Sequence, residues 1–375
     1  MTDDPLAPVP TKVDEKDIEP PALRVQWTFE PKIDDAAESR TRPSLTQPPA
    51  LDSSNVYTVQ GDIVRAIALE DGVPRWEIHF IAPIELPPLP VVGGIAVATA
   101  RRWSWVDQDG RVVATLKLER QPSDATAVAA GIVQVDATGA QLIVGPQDGV
   151  EPTPRWNTEI RQARAVSLAP GGEEVYVTDA SGAITAVATT SGNVLWSQDE
   201  ARAIPSRVAV DSRTLYVVGN DDRLRAFRRR NGRRAWIGKR IGVRIASAPV
   251  VVDEVVWVAG LDAALHGFDA NNGSHLFRVE IAGRAHIDLV SWDRWVIASP
   301  VYGPWMLVRA PMRAIGPSDP GLPRQYTIAS GGDLEHRPAA GAAGVVLTDA
   351  SGTVRLLKTP PLAVPTLAEE SNTRS

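Results

Sequence analysis

The chain has 375 residues, 43% of them hydrophobic and 22% charged, and a formal net charge of −6; that is ample apolar material for a core and the wrong sign for bulk attraction to nucleic acid. It contains no cysteine, which excludes disulfides, thiolate catalysis and cysteine-ligated zinc. Arginine outnumbers lysine 33 to 6, a bias that a GC-rich genome accounts for.

Residues 1–21 hold five prolines and six acidic residues. Too little apolar surface is present to order them, so a disordered acidic tail is expected. No basic segment precedes an apolar one here, and no run of eighteen apolar residues occurs anywhere. Neither a secretory signal nor a membrane span is therefore expected. The location expected is cytoplasmic, with a position peripheral to the membrane or cell envelope as the alternative. Residues 22–30 then contain a solitary strand pattern, Arg24 to Phe29 around Trp27, with no glycine hairpin of its own.

From residue 66 onward one cluster returns. Ala66, Gly72 and Trp76 are matched by Ala186, Gly192 and Trp196, by Ala226, Gly232 and Trp236, and by Gly267, Gly273 and Phe277. Glycine stands four residues before a large aromatic in every copy. The copy around Gly273 reads most clearly. Ala248–Val252, Val255–Ala259, Ala264–Phe268 and Ser274–Glu280 are strand patterns, separated by turns at Asp253-Glu254, Leu261-Asp262 and Asn271-Asn272-Gly273. Four short antiparallel strands in about forty residues make a propeller blade.

The second strands of successive units start near Val56, Ile95, Ile132, Val175, Leu215, Val255, Trp295 and Val345. The expected fold is thus all-β, an eight-bladed β-propeller of four-stranded antiparallel blades. Three blades depart from the pattern. Blade 2 has Gly110 but Ala114 in the aromatic position, blade 3 stretches the interval from Gly149 to Trp156, and blade 7 has a proline-rich connection from Pro311 to Pro323. The last blade ends after Val354–Lys358 without a fourth strand. The Trp27 strand is expected to fill that place, closing the ring and removing an open edge. The propeller is expected to occupy residues 22–358, with 359–375 a second disordered tail.

Gly72, Gly192, Gly232 and Gly273 are expected to take positive φ in the hairpins that precede the outer strands. Trp76, Trp196 and Trp236 are expected to pack between blades, since each blade has two apolar faces and no core of its own; Phe277 and Trp27 complete the set of structural repeat residues.

The Gly-x-x-x-Trp blade pattern over residues 22–358 resembles the repeat of pyrroloquinoline-quinone-type propellers, a group with an enzyme branch and a scaffold branch. The resemblance implies eight blades. The quinoprotein dehydrogenases are longer and carry a vicinal cysteine pair, a calcium site and a catalytic aspartate. This chain has no cysteine and no long insertion, and no residue set in it maps onto the calcium site. The BamB-like branch implies a scaffold that presents loops and strand edges to partner proteins. Its members are exported lipoproteins with a lipobox cysteine, which is not found here, so the resemblance is to the fold and the scaffold role. A degenerate quinoprotein dehydrogenase is the remaining reading.

Residue patterns for chemistry are sparse. His79, His266, His275, His286 and His336 show no metal-binding spacing. No G-x-S-x-G elbow is present. Asp107 to Gly110 looks like half a calcium loop, but a blade hairpin accounts for it. No catalytic, cofactor-binding or metal-binding residue is expected, and no cofactor.

One charged feature stands out. Residues 223–244 contain ten basic residues and no acidic one. Arg223, Arg225, Arg228, Arg229, Arg230, Arg233, Arg234, Lys239 and Arg240 are the candidate interaction patch, centred on the Asn231-Gly232 turn of blade 5. An acidic protein face or anionic lipid head groups would suit it; a solvated turn would also explain it. The expected function is a non-enzymatic scaffold for protein–protein interaction, a monomeric propeller within a complex. The alternative is an envelope- or membrane-surface assembly factor docking through the basic patch.

Overall fold

The computed structural model describes residues 24–31, 47–146, 150–199, 206–281, 283, 289–299, 305–310, 323–328, 337–349 and 352–358. Every strand among them belongs to one of eight four-stranded antiparallel sheets. The eight-bladed propeller is therefore the fold. The second strands are Asn55–Gln60, Gly94–Thr99, Gly131–Asp136, Glu174–Asp179, Thr214–Val218, Val255–Gly260, Trp295–Ala298 and Gly344–Thr348. Each begins within one residue of its expected start.

Seven blades are built from four consecutive strands. The eighth combines Ala339–Gly341, Gly344–Thr348 and Val354–Lys358 with Arg24–Phe29. The amino-terminal strand pairs antiparallel with the last one, Arg24 opposite Lys358 and Phe29 opposite Val354, with an irregularity between Val25 and Trp27. Ring closure by the Trp27 strand is thus as expected. The tails at 1–21 and 359–375 lie outside the described residues.

The core lies in the seams between blades. Asn55–Gln60 is buried along its whole length, because alternate side chains leave opposite faces of a strand. Val56 packs with Trp27, Val346 and Leu356 of blade 8, and Tyr57 and Val59 pack with Ile95 and Val97 of blade 2. This arrangement explains why the second strands read as unbroken apolar runs.

The recurring glycine and aromatic join consecutive blades. Gly72, Gly192, Gly232 and Gly273 have φ between +65° and +76°. Each amide donates to the carbonyl four residues earlier, Ala68, Ala188, Arg228 and Asp269. A Cβ at these glycines would lie 2.5–2.7 Å from ring atoms of Trp27, Trp156, Trp196 and Trp236, each from the preceding blade. Their indole N–H groups donate to Leu69, Thr189, Arg229 and Ala270 carbonyls at 2.6–3.0 Å. Gly110 and Trp76 make the same contact between blades 2 and 1. Phe277, which has no N–H, stacks on Trp257 at 5.9 Å.

Blade 2 reverses the pattern. Ala66, Ala186 and Ala226 on third strands face Trp76, Trp196 and Trp236 on outer strands. In blade 2 the third strand carries Trp105 and the outer strand Ala114. Large and small have changed places, and buried Trp105 fills the seam to blade 3. In blade 3, Trp156 stands on the outer strand Thr153–Glu159 opposite Leu142. Gly149 and residues 311–322 lie outside the described residues.

Candidate interaction surface

The antiparallel order of each blade divides its turns between two faces of the ring. The hairpin joining the third and outer strands shares a face with the turn joining the inner and second strands. The turn between the second and third strands, and the connection to the next blade, lie on the other face. In blade 5 the second strand is Thr214–Val218, the third Leu224–Arg228 and the outer Arg234–Ile237. The basic run 223–244 therefore crosses from one face to the other and back.

The nine candidate residues fall into three groups. Arg228, Arg230, Arg233 and Arg234 are exposed around the Asn231-Gly232 hairpin. Arg223, Lys239 and Arg240 are exposed on the opposite face, where Arg240 reaches Asp222 at 3.4 Å. Arg225 and Arg229 point inward. The nine do not form one continuous patch, because the hairpin lies at one end of the blade and the other two turns they span lie at the opposite end.

Arg225 is 5% exposed. Its two terminal nitrogens donate to the two oxygens of Asp221 at 2.7 and 2.6 Å. These bonds hold the Asp221 carboxyl below its ordinary pKa, the Arg225 hydrogen bond being the largest cause. Arg229 sits in the seam to blade 4. Its Nε donates to the Tyr176 hydroxyl at 3.0 Å, its Nη1 to the Asp211 and Ser212 carbonyls at 3.2 Å, and its Nη2 to Glu174 at 3.4 Å. Tyr176 donates in turn to Glu174. Burial, followed by that bond, pushes the Tyr176 hydroxyl far above its usual pKa. Both arginines serve the blade.

The hairpin face gains a residue that the basic run did not include. Arg213, in the turn between the inner and second strands, is exposed, and its carbonyl accepts from the Arg229 amide at 2.9 Å. The turn brings it beside the hairpin. The connectivity of a blade was the signal that could have found it. Arg213, Arg228, Arg230 and Arg233 carry no ion pair among the described residues, and they present four like charges on one surface.

Two other expectations can be placed. Asp107 caps its own hairpin, its Oδ1 accepting the Asp109 and Arg111 amides at 3.0 and 2.8 Å. His266 and His275, without metal spacing in sequence, meet across a hairpin. His266 Nδ1 lies 3.0 Å from His275 Nε2, and His266 Nε2 lies 3.2 Å from Asp262. Burial and then the neighbouring His266 lower the His275 pKa. His286 and His336 lie outside the described residues. No group of three or more metal-ligating side chains forms among the described residues, and no described helix is long and apolar enough to cross a membrane.

A family model described as outer membrane protein assembly factor BamB matches residues 17–237 and 104–299. A BamB of Shewanella oneidensis is 21% identical over 240 residues, 63% of this chain and 53% of that protein. A BamB of Francisella tularensis is 26% identical over 136 residues, 34% of this chain and 29% of that protein. The chain thus spans about half or less of the length of these curated relatives. The crystal structure of BamB from Moraxella catarrhalis superposes with a TM-score of 0.56 at 16% identity, covering 68% of this chain and 80% of that one; at this identity the likeness concerns the fold.

Proposed function

Because the chain belongs to the family of outer membrane protein assembly factor BamB, we propose that it is a non-enzymatic scaffold in an envelope assembly that inserts or matures outer membrane proteins. The match over residues 17–299 is the observation that carries this reading. It favours the assembly-factor alternative over a free cytoplasmic scaffold, and a location peripheral to the membrane over the cytoplasm. A rigid ring whose seams are filled by interlocked aromatics suits a part that holds others in place.

We further assign partner contact to the hairpin face of blade 5. Arg213, Arg228, Arg230 and Arg233 stand together there, while the whole chain is acidic at −6. An acidic face on a partner protein complements this surface, and such steering weakens as salt screens it. The test is fractionation of cells of the source organism, followed by depletion of the protein. Sedimentation with the envelope and a fall in folded outer membrane proteins on depletion are expected. A purely soluble protein whose loss leaves those proteins unchanged overturns the reading.

A further inference from the structure

We infer that the seam between blades 2 and 3 holds a pocket for a planar aromatic ring, a ligand of the indole class. Five other seams carry such a ring of their own. Trp27, Trp76, Trp156, Trp196 and Trp236 stand on outer strands, and each donates its indole N–H to a carbonyl of the next blade. Blade 2 has Ala114 at this position, paired with Trp105.

Trp105 does not restore the missing contact. It belongs to the same core as Ala125, Ile132 and Ile143 of blade 3, and its Nε1 has no hydrogen-bond acceptor among the described residues. A cavity of about 380 Å³ remains beside it, at the lower end of the range for small-molecule pockets, roughly 300–1,000 Å³. Val113 and Ala114 of the outer strand bound this cavity, together with Gly93 and Gly94 of blade 2 and Pro146 and Val150 of blade 3. Gly93 and Gly94 stand where the inner strand turns into the second, so the cavity lies on the hairpin face. Residues 147–149 lie outside the described residues, and the site is defined without them.

The lining suits a flat apolar ring. Val92, which also lines the cavity, is 96% exposed, and Val150 and Val113 are 63% and 54% exposed. Single exposed valines are ordinary on a protein surface, but three around one cavity make an apolar rim. A Cβ at Gly93 would meet nothing within 4 Å. A ring can lie close against glycine backbone, as the five indoles lie against Gly72, Gly110, Gly192, Gly232 and Gly273. Entry of the ring removes its own apolar area and that of the rim from water. A ligand with a carbonyl beside the ring also offers Trp105 the acceptor it lacks. The ring has two possible sources, a free aromatic small molecule and a tryptophan of a partner polypeptide.

Titration of the full chain, read by saturation-transfer NMR, tests this with indole as the free ring, N-acetyltryptophanamide as the ring on a peptide backbone and N-acetylleucinamide as an apolar control. At least one indole probe is expected to bind with a Kd below about 1 mM, and the leucine probe roughly tenfold more weakly or worse. Tighter binding of N-acetyltryptophanamide than of indole identifies a polypeptide source; equal or weaker binding identifies a free ring. Val92→Asp, at an exposed position, brings a charge into the rim and is expected to weaken binding by roughly tenfold or more. Leu195→Asp is the control. Leu195 is 48% exposed and stands three residues after Gly192, as Val113 stands after Gly110, but its seam is already filled by Trp196. This variant is expected to bind as wild type does. Absence of binding by both indole probes up to about 5 mM, equal binding of N-acetylleucinamide, equal binding by Val92→Asp, or equal weakening by Leu195→Asp overturns the pocket.

Discussion

The indole of Trp27 lies against Gly72, its Nε1 donating to the Leu69 carbonyl at 3.0 Å. The two residues belong to blades 8 and 1, so this contact is where the two ends of the propeller lock. The same bond recurs four more times around the ring between consecutive blades.

Trp27→Ala removes a buried indole and its hydrogen bond at the closing seam. A loss of about 3–5 kcal/mol is expected, as for other buried aromatics. Deleting residues 22–30 is expected to lower the melting temperature further by exposing the edge of Val354–Lys358. An unchanged melting temperature for either variant contradicts closure by this strand.

Gly232→Ala and Gly242→Ala separate backbone strain from close packing. Both glycines have positive φ, +65° and +80°, but a Cβ at Gly232 meets Trp196 at 2.5 Å whereas Gly242 has open space. Gly242→Ala carries only the backbone cost, roughly 1–2 kcal/mol. Gly232→Ala adds overpacking of about 1–3 kcal/mol. Denaturant unfolding that ranks the two equally would show that the indole gives way freely.

Arg225→Ala is expected to destabilise blade 5 by about 1.5–3 kcal/mol, while Arg223→Ala, two residues away and exposed, is nearly neutral. The Asp221 carboxyl is held below its ordinary pKa in the folded chain. Its contribution is therefore present above the unfolded value of about 3.9 and is lost as pH falls through the lowered value. The stability gap between wild type and Arg225→Ala is expected to narrow in acid. A gap that widens as pH falls contradicts the pairing.

Trp105 and Ala114 are expected to be coupled. Trp105→Ala alone opens the seam between blades 2 and 3. The double variant with Ala114→Trp restores the order of small and large residues found in blades 1, 4 and 5. It should recover roughly 0.5–3 kcal/mol relative to additivity in a double-mutant cycle. Strict additivity would mean that the two positions do not share one space.

Most of the fold was legible in the sequence because the blade period is carried by residues with local requirements. Gly232 needs positive φ, Trp196 needs a neighbour without a Cβ, and both requirements fall at fixed spacing. The reversal at Trp105 and Ala114 was not legible, since the aromatic was sought on the outer strand and cross-strand pairing can exchange the two. The candidate surface was legible in composition and not in placement. Arg225 and Arg228 are three residues apart, yet one is buried in an ion pair and the other is exposed. Arg213 and Arg229 are sixteen positions apart in numbering and joined by a hydrogen bond. Linear clustering of charge cannot report which face of a blade each turn reaches.

The most direct measurement is crosslinking in cells followed by capture, comparing two charge-reversal variants. Arg213→Glu, Arg228→Glu, Arg230→Glu and Arg233→Glu together reverse the hairpin face of blade 5; Arg223→Glu and Lys239→Glu together reverse the opposite face. The account predicts that the first variant loses the envelope partner captured by wild type, with a stronger loss at low salt, and that the second retains it. Retention of that partner by the first variant, or its equal loss from both, would contradict it.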